Sequence, residues 1–391
     1  MLNISLSPWP SFTQEEADAV SKVLLSNKVN YWTGNECREF EKEFAAFAGT
    51  QYAVALSNGT LALDVALKAM GIGAGDDVIV TSRTFLASAS CIVTAGANPV
   101  FADVDLNSQN ISAETIKAAL TPNTKAIIVV HLAGMPAEMD DIMDLAKEHD
   151  LWVIEDCAQA HGAKYKGKSV GSIGHVGAWS FCQDKIMTTG GEGGMVTTND
   201  KELWSKMWSY KDHGKSYDAV YHREHAPGFR WLHESFGTNW RMMEMQAVIG
   251  RIQLKRMPEW TARRQAHAAK LAESLGKFAS IRLIEVADYI EHAQYKFYAF
   301  VKPEHLKDGW TRDRIVGELN ARKVPCYQGS CSEVYLEKAF DNTPWRPKER
   351  LKNAVQLGDT SLMFLVHPTL TDDEIAFCKE HIEAVLAEAT A

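Results

Sequence analysis

Residues 151 to 198, LWVIEDCAQAHGAKYKGKSVGSIGHVGAWSFCQDKIMTTGGEGGMVTT, constrain the fold more than any other stretch. An apolar run from Leu151 to Ile154 stops abruptly at Glu155 and Asp156, as a buried parallel strand does when it presents an acid at its carboxyl edge. In open α/β sheets that edge is where ligands bind. A second apolar run, Val176 to Phe181, leads through Ser180 to Lys185 and into TTGGEGGMV, whose glycines permit tight backbone turns beside a bound group. An acid, a hydroxyl and a lysine are therefore expected along one sheet edge.

Few chemistries need all three. A lysine that forms a Schiff base must spend part of its time as a neutral amine, and a cofactor that stores electrons in a protonated pyridine ring needs a buried anion beside the ring nitrogen. Pyridoxal 5'-phosphate needs both. Its phosphate also wants hydroxyls and helix-terminal amides, which Ser180 and the SNGT turn at 57–60, with Gly59 and Thr60, can supply. Alone, that turn is an ordinary helix N-cap. Ser180 and Lys185 downstream favour the phosphate reading.

Apolar runs near residues 53, 78, 100, 127, 152, 177 and 195, mostly alternating with helical stretches, predict an α/β fold built on a mostly parallel seven-stranded sheet with helices on both faces. TGGEGGMV precedes a strand and opens no helix, so it is not a dinucleotide fingerprint. Thr13 and Glu16 form a capping-box pattern for a helix over 13–26, and Phe40, Phe44 and Phe47 line one side of another over 36–48. MMEMQAVIGRIQLKRM reads as a long helix leading toward a smaller unit, with helices at 259–275, 311–322 and 372–388 around the strand-like YKFYAFV. The expected organisation is a large cofactor-binding domain over 1–256, including an N-terminal segment, and a small α+β domain over 257–391. His131, a lone histidine, reads as a satisfied structural side chain.

Composition excludes several classes. With 46% hydrophobic residues in 391, the chain can bury two sizeable cores. MLNISLSPWP lacks the charged and apolar regions of a leader, and no apolar run is long enough to span a bilayer, so a cytoplasmic, non-membrane protein is expected. A net charge of −9 argues against nucleic acid as a partner. Seven scattered cysteines without a CxxC pair, and thirteen histidines without HExxH, give no disulfide framework and no metal centre.

EDCAQAHGA, then SF followed three residues later by Lys185, then TTGGEGGMV, together with NYWTG at 30–34 and TNWRM at 238–242, resemble the sugar aminotransferases of the DegT/DnrJ/EryC1/StrS family. That family lies within fold-type I of the pyridoxal-phosphate enzymes, so the resemblance implies an aspartate-aminotransferase-like fold. It implies that Lys185 holds the cofactor and carries the proton, that Asp156 stays ionised against the pyridine nitrogen, that Gln159 lies at the ring and that Phe85 stacks on it. It further implies a homodimer in which Asn239 reaches the neighbouring subunit's cofactor phosphate, NYWTG near the sugar pocket, and L-glutamate as amino donor. Members that carry out 3-dehydration have histidine where this chain has Lys185, so transamination is expected. A regulator or binding protein on this fold would have lost Lys185 or Asp156, whereas a decarboxylase or lyase could keep both.

One segment departs from the pattern. Many members that use nucleotide-linked sugars carry a sequence like HYxPLH where this chain has PCYQGSCSEVYLEKAF at 325–340. That wording is similar to transaminases forming 8-amino-3,8-dideoxy-manno-octulosonate, a lipopolysaccharide sugar. The substrate implied is 8-oxo-3,8-dideoxy-manno-octulosonate; the alternative is a nucleotide-linked 3- or 4-keto-deoxysugar. Arg230 and Arg241 could serve the anion of either.

Overall fold

Short runs of apolar residues build the main sheet in the computed structural model, which describes residues 6–391; the expectation drawn from MLNISLSPWP thus falls partly outside the described residues. The strands are β1 (Tyr52–Leu56), β2 (Asp77–Thr81), β3 (Asn98–Ala102), β4 (Thr124–Val130), β5 (Trp152–Asp156), β6 (Val176–Ser180) and β7 (Gly194–Thr198). They lie in the order β1-β7-β6-β5-β4-β2-β3. Only β7 runs against its neighbours, β1 and β6; all other pairs are parallel. The cause is local. The loop between β6 and β7 carries no crossover helix, and a return without one can only be antiparallel.

Alternate residues serve opposite faces. Val78 and Val80 join Leu63 and Ile154 in one apolar cluster, while Ile79 joins Ile127, Val153 and Ile142 in another. The expected helix over 36–48 forms as Glu36–Ala48, and its Phe40 and Phe44 pack with Trp179 and Phe181 beneath β6. β6 is thereby buried along its whole length, which makes the chain that leaves it toward Lys185 a rigid support.

The C-terminal half differs from expectation at one point. The helix from MMEMQ does not stop before 259; it runs unbroken from Glu244 to Leu275, 32 residues, and absorbs the helix expected at 259–275. Pro258 sits inside it. A proline removes one N–H and reads locally as a break. Here the helix packs Gly250 against Phe40 at one end and buries Leu271 and Leu275 among the C-terminal helices at the other, so both units hold it together. An antiparallel sheet of β8 (Ile281–Leu283), β9 (Phe297–Val301), β10 (Cys326–Tyr327) and β11 (Ser361–Phe364), ordered β8-β9-β11-β10, is covered by helices Arg312–Ala321 and Asp372–Ala389. We propose the division into 1–256 and 257–391 from these two sheets, with the long helix shared between them. The departing segment bridges the two, since Val334, Tyr335 and Phe340 pack into the main-sheet core beside Phe101. Among the described residues, no helix is long and apolar enough to cross a membrane.

Candidate active site

The two acids that end β5 have different surroundings. Glu155 is fully buried and accepts hydrogen bonds from the N–H groups of Gly171 (2.8 Å), Ile173 (2.8 Å) and Gly174 (2.6 Å) and from His131 Nε2 (2.9 Å). His131 Nδ1 accepts the Ala137 N–H at 3.1 Å, so Nε2 carries the proton that it donates. Burial acts to raise the Glu155 carboxyl, and these donors, His131 foremost, outweigh it and hold the group below the usual range. His131 is therefore structural, as the sequence suggests. Cys157 Sγ lies within 4.8 Å of both ligand atoms, but Glu155 is already committed to four N–H donors and offers no free anion to a metal.

Asp156 is the opposite case. It is 6% exposed, and among the described residues it accepts hydrogen bonds only from Ser88 Oγ (2.8 Å) and the Ala158 N–H (3.1 Å). Burial dominates and pushes its carboxyl up, against the opposing pull of Ser88, Ala158, Lys185 and His131. An ionised Asp156 needs a cation brought from outside, and a protonated pyridine nitrogen is one.

At the other end of the cavity the helix Gly59–Ala69 begins. The Asn58 side chain takes the Leu61 N–H at 3.0 Å, while Gly59 and Thr60, the first two helical residues, border the cavity. Two glycines allow this approach. A Cβ on Gly59 would sit 2.5 Å from Ser180 Cβ, and one on Gly194 would sit 2.2 Å from the Asn58 carbonyl oxygen. The helix start, β6 and β7 thus meet backbone to backbone. The Ser180 hydroxyl lies beside a positive helix terminus, an arrangement suited to a phosphate.

Lys185 lies between these ends. Its side chain is 17% exposed, and its Nζ is 3.9 Å from Asp184 Oδ1 and 5.4 Å from the Tyr295 ring centroid. The Tyr295 hydroxyl donates to Asp184, and Trp9 Nε1 holds the Lys185 carbonyl at 2.8 Å. Burial acts to raise the Asp184 carboxyl, but Lys185, Tyr295 and Lys296 keep it low. Beneath the cavity, His161 packs between Trp179 and Phe181; burial first, then Lys185 and Arg264, push it down to about 3, so it is neutral.

Gly59, Thr60, Phe85, Asp156, Gln159, Ser180 and Lys185 all border one cavity of about 600 Å³, a volume typical of a cofactor site. Phe85 is 70% exposed there, free to cover a ring, and the Gln159 side chain accepts the Ala133 N–H at 2.7 Å. Asn239 does not border it; its backbone pairs with Asp212 in the loop that follows residue 211. Arg241 is taken by Asp212 at 2.6 Å, and Arg230 is exposed. Neither borders the cavity. A second hollow of about 550 Å³ shares Thr84, Phe85, Gln159, Asp184 and Lys185 and extends over Lys296, Tyr298, Tyr327 and Ser330. Sequence reasoning missed Ser88, Asp184, Tyr295 and Lys296. Asp184 could have been found as the neighbour of Lys185, whereas Tyr295 and Lys296 lie more than a hundred residues away with no local signal.

The residues present fit pyridoxal phosphate: a buried acid that lacks a cation, a helix terminus with a hydroxyl, and a lysine between them. The comparisons agree. Residues 10–383 match the model of the DegT/DnrJ/EryC1/StrS aminotransferase family. The GDP-perosamine synthase of Escherichia coli O157:H7 is 42% identical over 373 residues, 95% of this chain and 96% of that protein. The UDP-N-acetyl-3-dehydro-alpha-D-glucosamine 3-aminotransferase of Acidithiobacillus ferrooxidans is 42% identical over 363 residues, 91% of this chain and 90% of that protein. The crystal structure of an aminotransferase from Psychrobacter cryohalolentis superposes with a TM-score of 0.96 at 65% identity, over 98% of this chain and 99% of that one. The chain therefore belongs to the DegT/DnrJ/EryC1/StrS aminotransferase family, and it is a pyridoxal-phosphate-dependent transaminase.

Proposed function

We propose that this enzyme is a cytoplasmic sugar aminotransferase that moves the amino group of L-glutamate to the carbonyl of a nucleotide-linked 3- or 4-keto-deoxysugar. The observation that carries the transfer is the placement on one cavity of Asp156, at the end of its strand, and Lys185, in the turn that follows the adjacent strand. The two relatives that are 42% identical, each named for work on a nucleotide-linked sugar, support the acceptor class. When bound, the cofactor supplies an electron sink for the carbon that loses its proton.

The protein's own residues do the rest. Asp156 anchors the ring nitrogen, and Ser88 and the Ala158 N–H orient its carboxylate. Gly59, Thr60 and Ser180 hold the phosphate, with Asn239 of a second copy completing that end in a homodimer. Phe85 and Gln159, which border the cavity, would lie at the ring and limit water. Lys185 carries the proton to and from the substrate carbon. Asp184, tied by Tyr295, keeps a negative charge near the Lys185 amine.

The second reading is glutamate-dependent amination of the C8 aldehyde of 8-oxo-3,8-dideoxy-manno-octulosonate, giving the 8-amino sugar for lipopolysaccharide. What favours it is the 325–340 segment, which lines the second hollow through Tyr327, Ser330 and Cys331 in place of the usual small-domain sequence. Purified enzyme with glutamate, offered both acceptor classes, should release 2-oxoglutarate with one of them. Rapid turnover of the octulosonate and none of nucleotide-linked ketosugars would reverse the order of the readings. Lys185→Ala should lose both the yellow colour fixed by borohydride and turnover; retention of both would remove Lys185 from the chemistry.

A further inference from the structure

Two ammonium groups and two carboxylates border the second hollow. Lys185 and Lys296 both border it and share one aromatic ring, their Nζ atoms 5.4 and 4.8 Å from the Tyr295 centroid. The two ammonium groups therefore lie within about 10 Å of each other. Behind Tyr295 is Arg264, 1% exposed, whose Nη1 is 3.4 Å from the Tyr295 carbonyl oxygen and whose Nε and Nη2 have no hydrogen-bond partner among the described residues. Two carboxylates border the hollow, Asp184 and Glu337. Asp184 is held by the Tyr295 hydroxyl beside Lys185, and Glu337 is exposed. Among the described residues, Lys296 makes no ion pair, and its one recorded cation contact is the Tyr295 ring.

A half-buried ammonium with no carboxylate close enough to pair with it is costly. Burial first, and then Arg264 and Lys185, pull Lys296 down to about 8 against the opposite pull of Asp184. An anion entering the hollow would pair with it and gain a charge-assisted hydrogen bond. The amino donor brings a carboxylate in every turnover, whichever sugar follows.

We propose that Lys296 is a specificity-determining residue that receives a carboxylate of the amino donor. This rests on the reading of L-glutamate as donor. The same chemistry could come from the carboxylate of a keto-acid sugar, and the two half-reactions separate these sources.

The test uses cofactor-loaded wild type, Lys296→Met and Lys296→Arg. Calorimetry with glutarate, an unreactive five-carbon dicarboxylate, should show affinity about 10- to 100-fold weaker in Lys296→Met, the loss expected for one hydrogen bond to a charged group. In single turnovers followed by cofactor absorbance, KM for glutamate should rise by a similar factor while the saturating rate changes less. Lys296→Arg should restore glutarate binding to within a few-fold. Should Lys296→Met melt out of the assay, Lys296→Gln takes its place. Unchanged glutarate affinity in a variant that keeps its cofactor spectrum would overturn the proposal, as would a KM effect confined to the sugar half-reaction. A wild-type enzyme that holds cofactor yet neither consumes glutamate nor binds glutarate would overturn the donor reading itself.

Discussion

Replacing Gly59 by alanine tests whether the close meeting of helix and strand is the seat of the phosphate. The added Cβ would lie 2.5 Å from Ser180 Cβ and 3.0 Å from Ser180 Cα. Non-bonded carbons rest at roughly 3.5 to 4.0 Å, so a gap of about 1 Å must open. Rotating the serine cannot provide it, because its Cα is also in the way, and β6 is buried along its length between β5 and β7. The start of the helix must retreat instead. Overpacking of this kind costs about 1–3 kcal/mol, offset by roughly 0.5–1 kcal/mol for replacing glycine in a helix, for a net loss of about 1–2 kcal/mol. Retreat also withdraws the Gly59 and Thr60 N–H groups from an anion, at about 1.5–3 kcal/mol for each hydrogen bond lost. Pyridoxal phosphate titrated into the cofactor-free protein, with tryptophan fluorescence as signal, should bind at least about 10- to 100-fold more weakly, the loss of one such hydrogen bond. Melting of the cofactor-free protein should fall by a few degrees. Ser180→Ala, which adds nothing to the gap, should weaken binding without lowering the melting temperature. If Gly59→Ala melted lower but bound cofactor like wild type, the phosphate sits elsewhere; if neither changed, the approach itself is not tight.

Asp156→Asn should separate stability from function. Burial raises the folded carboxyl above its unfolded value, so its contribution to stability is present below about pH 3.9 and is lost as pH rises through the folded value. At pH 7 the cofactor-free asparagine variant, in which the Ser88 hydroxyl can accept where it now donates, should melt no lower than wild type while binding pyridoxal phosphate more weakly; a variant that melted lower and bound normally would contradict this. Glu244, fully buried, accepts the N–H groups of Glu36 and Cys37 at the start of the Glu36–Ala48 helix, so Glu244→Gln should cost about 1–2 kcal/mol in denaturant unfolding, and an unchanged midpoint would remove it as an anchor. Mixing inactive Asn239→Ala and Lys185→Ala proteins should restore part of the activity through hybrid dimers with one intact site; confirmed subunit exchange without recovery would exclude the shared site.

Much of the molecule was legible in the primary structure because its signals are local. Each strand of the main sheet is built on a short apolar run, and a buried run that ends in Asp156 or Ser180 must present those side chains at a sheet edge. Lys185 follows one such edge by five residues, too few to travel far. What could not be read locally depends on contacts between distant residues. Pro258 looks like a helix end because one hydrogen bond is lost there, yet packing on both units carries the helix through it. Asp156 reads as an anion from its type, but its burial, which the hydrogen bonds from Ser88 and the Ala158 N–H do not outweigh, raises its carboxyl. The pairing of Tyr295 and Lys296 with Asp184 and Lys185 joins two strand ends with no shared periodicity, so only the meeting of the two sheets brings that second cation to the site.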